Sequence, residues 1–465
     1  MDGDVYDLIV IGAGAAGLAA ADVGAAAKVR TLLVAEGEPG GECTFTGCVP
    51  SKTLIEAAGR GVGFGEAIGA VHRAVSTIAR TESAEVLARR GIEVLRGHAT
   101  FTAAHRITVA GRTMEARGIV VATGSKPTVP PVPGLIDSGF LTTDTVFDLT
   151  ELPASMAVLG GGAVGCELAQ AFARLGSRVT LVEAAPRLLP AADPAASRVI
   201  ERALTEAGVS VRTGCVLDRV DARPAGRGCA LHLPGSGLVV ADALLVATGR
   251  APVTDRLDLP AAGVETDRRG AVIVDRHMAT TARGVYAAGD CTGAFPFTHA
   301  AYAMGRIAAR NALRRPGRPA DRFVIHAIPR VVYTDPEVAQ VGLTEQRAAD
   351  VRGSRVVYLS MRNVDRAVTA GRTEGFIKLI AGPRPVTGNL GGGRLLGATI
   401  VASRAGEMID EIALAMRVGV FTGRLAQTTH AYPTWSLAIQ QAAAGFFTGS
   451  RGWPARREQA AEDPA

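Results

Sequence analysis

Two stretches of this chain follow the same order: an apolar strand, a glycine-rich turn, an alanine-rich helix, a second apolar strand and an acid. Residues 7–36 run from DLIVI through Gly12, Gly14 and Gly17 to Glu36, and residues 155–183 run through Gly160, Gly162 and Gly165 to Glu183. Both glycine sets have G-x-G-x-x-G spacing. In that pattern the glycines permit a tight turn and let a pyrophosphate approach the helix N-terminus, whose unpaired N–H groups favour an anion. The acid closing the second strand can accept hydrogen bonds from ribose hydroxyls. Two complete βαβ units therefore imply two bound dinucleotides. Glu183 would bond a ribose 2′-OH and repel a 2′-phosphate, which favours NADH; Arg187, close by in sequence, opposes that preference and keeps NADPH open.

A chain of 465 residues is too long for one ordinary core. A second echo helps divide it. IVVATGSKP (119–127) and LLVATGRAP (244–252) are apolar strands ending in Ala-Thr-Gly, each following one dinucleotide unit, and the chain returns to strand and turn at GVYAAGD (284–290). Helical patterning dominates 52–100, with short strands near 92–123. The expected fold class is α/β, with two Rossmann-like dinucleotide-binding domains and a C-terminal α+β dimerisation domain. The expected boundaries are 1–150 with 265–325, then 151–264, then 326–449, with 450–465 a polar, disordered tail.

Composition removes several function classes. The net charge is +6 and the pI about 9.2, but the basic residues are scattered, with the densest cluster at Arg451, Arg456 and Arg457. No basic run is interleaved with aromatics, so nucleic acid is not an expected partner. Residues 8–27 are apolar, yet glycines interrupt them and Asp2, Asp4 and Asp7 flank them where a signal peptide carries positive charge. A soluble cytoplasmic protein with no membrane segment is expected. Six cysteines, no CxxC and scattered histidines point away from a disulfide scaffold and from a structural metal site.

The segment GGECTFTGCVPSK (40–52) carries the chemistry. Cys43 and Cys48, five residues apart, can close a small disulfide loop, and Pro50 can start a helix just after them. A thiolate near a helix N-terminus is stabilised by the helix dipole, so one sulfur should be acidic and reactive. Only four of the 50 basic residues are lysine, and Lys52 is one of them. Beside the cysteines it supplies a compact point charge rather than a planar fork. Cys166 reads as a small buried residue.

With these motifs the chain, over about residues 5–448, resembles the flavin-dependent pyridine nucleotide–disulfide oxidoreductases, the group of dihydrolipoamide dehydrogenase, glutathione reductase and mercuric reductase. VVYTDPEVAQVGLTE (331–345) matches the start of that family's dimerisation domain. The resemblance implies a homodimer that uses FAD and NAD(H), with NADP(H) open, and a small-molecule acceptor. It implies that Cys48 lies against the flavin as the charge-transfer thiolate and that Cys43 exchanges with the acceptor. Lys52 would pair with Glu167 near the flavin, and Asp290 would bind the FAD ribityl chain. Gly12, Gly14, Gly17, Glu36 and Gly124 fall to FAD; Gly160, Gly162, Gly165, Glu183 and Gly249 fall to NAD.

The pattern breaks near the C-terminus. Disulfide reductases of this group use a His-Pro-Thr with a glutamate five residues after the histidine, supplied by the partner subunit. This chain reads HAYPTWSL (430–437), with Tyr432 at the histidine position and Leu437 at the glutamate position. A phenol, with pKa near ~10, is a poor base at neutral pH. Either His430 substitutes, sharing a face with Tyr432 in an extended segment, or the acceptor needs no proton shuttle. Mercuric reductase is similar in carrying tyrosine there, but it adds a vicinal cysteine pair near its C-terminus, and this chain has no cysteine after Cys291. Three functions follow as alternatives: reduction of a dihydrolipoamide-type or other small disulfide, reduction of a metal ion or small oxidant such as a quinone, or a non-catalytic redox-sensing flavoprotein.

Overall fold

A computed structural model describes residues 4–223, 228–235, 237–448 and 453–454. The chain forms two compact units. Among the described residues, the first comprises those within 4–130, 141–151 and 248–323, and the second those within 131–140, 152–247 and 324–454.

The first unit is built on a seven-stranded sheet whose central strands run parallel: Ile92–Arg96, Thr31–Ala35, Asp4–Ile11, Arg112–Val121 and Val285–Ala287. Ala99–Ala103 and Arg106–Val109 extend it by antiparallel pairing. Every residue of TLLVA (31–35) is buried, as expected of a parallel strand covered on both faces. The helix Ala15–Ala26 is apolar nearly all round because it too is buried. Its small side chains allow close approach by the helix Thr298–Ala312: a Cβ on Gly305 would fall 2.0 Å from the Ala16 carbonyl oxygen.

The second unit holds a parallel sheet in the order Ser210–Arg212, Arg178–Val182, Ser155–Leu159, Ala243–Val246, and a three-stranded antiparallel sheet over 219–241. Its third sheet is antiparallel, in the order Arg330–Val332, Glu337–Gly342, Arg394–Ala402, Phe376–Gly382, Arg355–Ser360, Trp453–Pro454. The helix Ala405–Val418 covers it, with Met408, Ile409 and Ile412 packed among Ile377, Leu379 and Ile400.

Three boundaries differ from the sequence expectation. Residues 248–264, expected with the inserted nucleotide domain, pack with the first unit: Arg250–Pro252 pairs with Ser125–Pro127, and Leu257, Leu259, Ala262 and Val264 join the core around Ile9 and Ile119. Residues 152–247 and 324–448, expected as separate domains, form one unit. Gln170 and Arg174 both bind Asp335, at 2.8 Å each, and Lys378 binds Asp193 at 3.4 Å. In the tail, Trp453–Pro454 pairs as a short strand with Arg355 and Val356, because that sheet edge offers open amides and carbonyls; 450–452 and 455–465 lie outside the described residues.

Lys378 sits wholly buried in a strand with no exposed residue, 3.1 Å from Glu345 and 3.4 Å from Asp193. Asp193 also caps the helix Pro194–Glu206, accepting from the Ala195 amide at 2.9 Å. Removing the cation leaves two carboxylates buried together, so Lys378→Met is expected to cost about 3–5 kcal/mol. Chemical denaturation of the variant beside the parent checks this; an unchanged midpoint contradicts it.

Candidate active site

The redox segment forms two short helical pieces. Gly41–Phe45 makes one turn carrying Cys43, and Gly47 is the N-cap of the helix Cys48–Gly59. The second helix begins two residues before Pro50, whose missing N–H falls in the first turn, where no intrahelical partner exists in any case. Gly41, at φ +62°, brings this loop against the first dinucleotide loop, since a Cβ there would lie 2.6 Å from the Gly14 Cα. The Gly40 amide also donates to the Ala13 carbonyl at 2.9 Å.

Cys48 is the first residue of its own 12-residue helix, and its Sγ lies 3.2 Å from Oγ1 of Thr298, the first residue of the 15-residue helix Thr298–Ala312. Two helix N-termini therefore converge on one sulfur, which favours its anion. Cys43 and Cys48 are present as half-buried thiols. The Cys43 thiol is pushed far up, first by its hydrogen bond with Cys48, then by burial and by charge on Cys48. Of the pair, Cys43 is thus held protonated. Lys52 lies one turn beyond Cys48 on the same helix.

Both glycine-rich loops make close approaches that require glycine. A Cβ on Gly17 would sit 1.8 Å from the Gly12 carbonyl oxygen, and one on Gly165 would sit 1.8 Å from that of Gly160. The helices Ala15–Ala26 and Ala163–Arg174 start at Gly14 and Gly162 without a side-chain cap, a geometry compatible with an anion at their first amides. A Cβ on Gly124, Gly162 or Gly249 would meet nothing within 4 Å. Gly249, assigned from the sequence to the NAD side, belongs by packing to the first unit, where its carbonyl accepts from the Thr128 amide at 2.9 Å.

Glu36 follows its strand as expected, and the structure adds two partners that sequence reasoning missed. Arg256 Nη2 donates to both carboxylate oxygens at 2.7 and 2.9 Å, and His98 Nδ1 lies 2.5 Å from one of them. The His98 hydrogen bond, more than Arg256, holds this carboxyl below its usual range. Asp290 accepts from Ser125 Oγ at 2.7 Å. Thr298, Ser125 and Arg250 were also missed; Ser125 and Arg250 sit inside the Ala-Thr-Gly echoes, but only the fold shows what their side chains meet.

In the second unit, Glu183 is anchored by the Gly161 amide at 2.5 Å and the Ala185 amide at 2.6 Å. Arg187 is held by its own loop and the helix that follows it. Its guanidinium donates to the carbonyls of Leu189, Pro190 and Ala192 and to Ser197 Oγ, at 2.7–3.2 Å. Those bonds commit its donors to the backbone. Glu167 is buried and accepts from the Tyr333 amide at 2.8 Å. It lies in the second unit and Lys52 in the first. Cys166 is fully buried, 3.4 Å from the Gly161 carbonyl, with its thiol pushed up by burial.

His430 and Tyr432 do not share a face. His430 is drawn inward: Nδ1 lies 3.0 Å from the Thr428 carbonyl, and Nε2 lies 3.0 and 3.1 Å from the two oxygens of Glu411. Both ring nitrogens face acceptors. Each ring nitrogen is thus engaged by a neighbour within this chain. Glu411, on the helix Ala405–Val418, supplies the carboxylate that Leu437 cannot, 19 residues before the histidine in sequence. Tyr432 is 71% exposed, and its hydrogen bond to Asp365 pushes its phenol up, further from use as a base.

Among the described residues, no three His, Cys, Asp or Glu side chains converge as a metal site, and no helix is long and apolar enough to cross a membrane. A family model described as pyridine nucleotide-disulphide oxidoreductase matches residues 6–305, and that family's dimerisation domain matches 328–443, which supports a homodimer. The chain is 37% identical to a mercuric reductase of Streptomyces lividans, over 95% of this chain and 96% of that one. It is 36% identical to a dihydrolipoyl dehydrogenase of Thermus scotoductus, over 94% and 96%. It also superposes with a TM-score of 0.85, at 29% identity over 96% of this chain and 99% of the other, on the Cu(II) complex of the HOCl-induced flavoprotein disulfide reductase RclA from Escherichia coli.

Thr298→Val removes the hydroxyl facing Cys48 and so disfavours the thiolate. The titration of the long-wavelength thiolate–flavin absorbance in the reduced enzyme is expected to move to higher pH. An unmoved titration would mean that Thr298 does not stabilise this sulfur.

Proposed function

We infer the reaction from the family to which this chain belongs, the pyridine nucleotide-disulphide oxidoreductases; it is a flavin-dependent enzyme using FAD and NAD(P)H. The observation that carries the reading is the placement of Cys48 at two helix N-termini with Cys43 held as the thiol beside it. When bound, FAD supplies a centre that takes a hydride from the nicotinamide and passes the electron pair to a Cys43–Cys48 disulfide. The first unit takes the FAD role through Gly12, Gly14, Gly17, Glu36, Gly124 and Asp290. The second combines the NAD role, through Gly160, Gly162, Gly165 and Glu183, with that of the dimer interface. Gly249 belongs to the first unit, and Lys52, one turn after Cys48, would bring a positive charge to the flavin.

Cleavage of the disulfide with two electrons leaves Cys48 as the thiolate, favoured by the helix termini and Thr298, while Cys43 takes up a proton. Cys43 then meets the acceptor. The acceptor we favour is a thiophilic metal ion of the Cu(II) type. Two such ions take one electron each, the Cys43–Cys48 bond re-forms and the Cys43 proton is released. This transfer needs no histidine to protonate a leaving sulfur, and His430 has both nitrogens engaged within its own subunit. The likeness to the copper complex of RclA supports it. A lipoamide-type disulfide is the second reading, favoured by the dihydrolipoyl dehydrogenase relative; it would need a proton from the exposed Tyr432–Asp365 pair.

Anaerobic assays with NADH decide between the two. Cu(II) reduction, read with a Cu(I)-specific chromophore, is expected to fall at least about 100-fold in Cys43→Ser and Cys48→Ser. Lipoamide turnover is expected at the level of those variants. Metal reduction that survives both substitutions, or rapid lipoamide turnover by the parent alone, would reverse the assignment.

Coenzyme choice follows from Glu183, with Arg187 tied to the backbone. kcat/KM for NADH is expected to exceed that for NADPH by about tenfold or more, since a 2′-phosphate would face the carboxylate. Glu183→Ala should narrow the ratio, whereas equal use of both coenzymes by the parent would contradict the role given to Glu183.

A further inference from the structure

Arg250 reaches two different parts of the first unit at once. Its Nε donates to Ser125 Oγ at 2.8 Å, and its Nη2 donates to the Ser125 carbonyl at 3.0 Å and to the Glu42 carboxylate. Ser125 Oγ in turn donates to Asp290 at 2.7 Å. The hydrogen bonds thus form a continuous chain, Asp290–Ser125–Arg250–Glu42, ending one residue before Cys43.

The helix that carries Cys43, Gly41–Phe45, is a single turn of five residues. So short a helix has almost no stability of its own, and contacts outside it set its position. Three are evident. The Gly40 amide bonds Ala13 at 2.9 Å, Thr44 Oγ1 bonds Glu82 at 2.7 Å, and Glu42 pairs with Arg250. Only the last comes from a segment 208 residues away that also binds the neighbour of Asp290. Arg250 and Glu42 are both mostly covered, with side chains 27% and 37% exposed. Burial pushes the Glu42 carboxyl up, Arg250 pulls it down, and Asp144 and Asp290 push it up further. Burial prevails, so the Glu42 carboxyl sits above its usual range, and Arg250 is the group that opposes this shift and holds the carboxyl in place.

We propose that Arg250 is a positioning residue that fixes the turn bearing Cys43 relative to the seat of Asp290, holding Glu42 and the Ser125 carbonyl through Nη2 and the Ser125 hydroxyl through Nε. The exchanging sulfur must reach Cys48 when oxidised and an external acceptor when reduced, and small displacements of a reacting atom are costly. A lysine in this position has one point charge and cannot engage Ser125 and Glu42 with the same geometry. The proposal rests on the reading above, in which Asp290 and Cys48 flank the cofactor.

The test uses FAD-loaded parent, Arg250→Lys, Glu42→Gln and the double variant. FAD content, the thiolate–flavin absorbance after anaerobic NADH reduction, and alkylation of Cys43 by iodoacetamide followed by peptide mass spectrometry are measured beside Cu(II) turnover. Arg250→Lys is expected to keep its FAD and its rate of flavin bleaching by NADH. It should lose about tenfold in turnover and show an altered absorbance band and an altered Cys43 alkylation rate. The double variant should be no worse than Arg250→Lys, because both changes break one contact. A normal band, alkylation rate and turnover in Arg250→Lys would overturn the proposal, as would losses that multiply in the double variant. Should Arg250→Lys lose FAD, Glu42→Gln, which retains the Arg250–Ser125–Asp290 links, carries the same comparison. A parent that shows no thiolate–flavin absorbance with NADH removes the relay itself and this proposal with it; a parent with the band beside an unaltered Arg250→Lys removes the proposal alone.

Discussion

Cys48 is the first residue of one helix and its sulfur touches the first residue of another, so backbone dipoles and the Thr298 hydroxyl act on its charge alongside the Cys43 thiol. The rest of the first unit follows from keeping that geometry. The parallel sheet and its alanine-rich helix bring the dinucleotide loop to the redox segment, and Gly41 lets the two loops touch. The helix Thr298–Ala312 packs tightly enough on Ala15–Ala26 that Gly305 lies against the Ala16 carbonyl. A shift in that packing would move Thr298 relative to the sulfur. Thiol chemistry and helix packing are here one constraint.

The second unit shows a different economy of charge. Arg187 and His430 both looked available to ligands in the sequence, yet the fold commits each to internal acceptors: backbone carbonyls for Arg187, Glu411 and Thr428 for His430. Glu183 receives two backbone amides that orient it without neutralising it.

Much of the site was legible in the sequence because its motifs are local. The G-x-G-x-x-G turns, the cysteine spacing and the strand–acid endings of Glu36 and Glu183 each depend on residues a few positions apart, and the backbone geometry they require is decided locally. What was not legible depends on pairs far apart. Glu411 meets His430 through the packing of a helix on a turn, and Arg256 reaches Glu36 from 220 residues away. Arg250 and Thr298 carry no signal of their own until the sheet and helices bring them to the redox loop. Domain boundaries were blurred for the same reason. Residues 248–264 continue an apolar strand in sequence, but the strand Arg250–Pro252 pairs with Ser125–Pro127.

The two-residue strand Trp453–Pro454 runs along the outer edge of the sheet in the second unit, beside Arg355 and Val356. Unpaired edges of antiparallel sheets recruit further strands, including those of other copies of the same chain. A few residues near the C-terminus thus cover part of a surface that would otherwise be adhesive. Trimming the chain ahead of Trp453 would leave the catalytic loops intact while baring that edge, so a shortened protein could retain its chemistry and still self-associate.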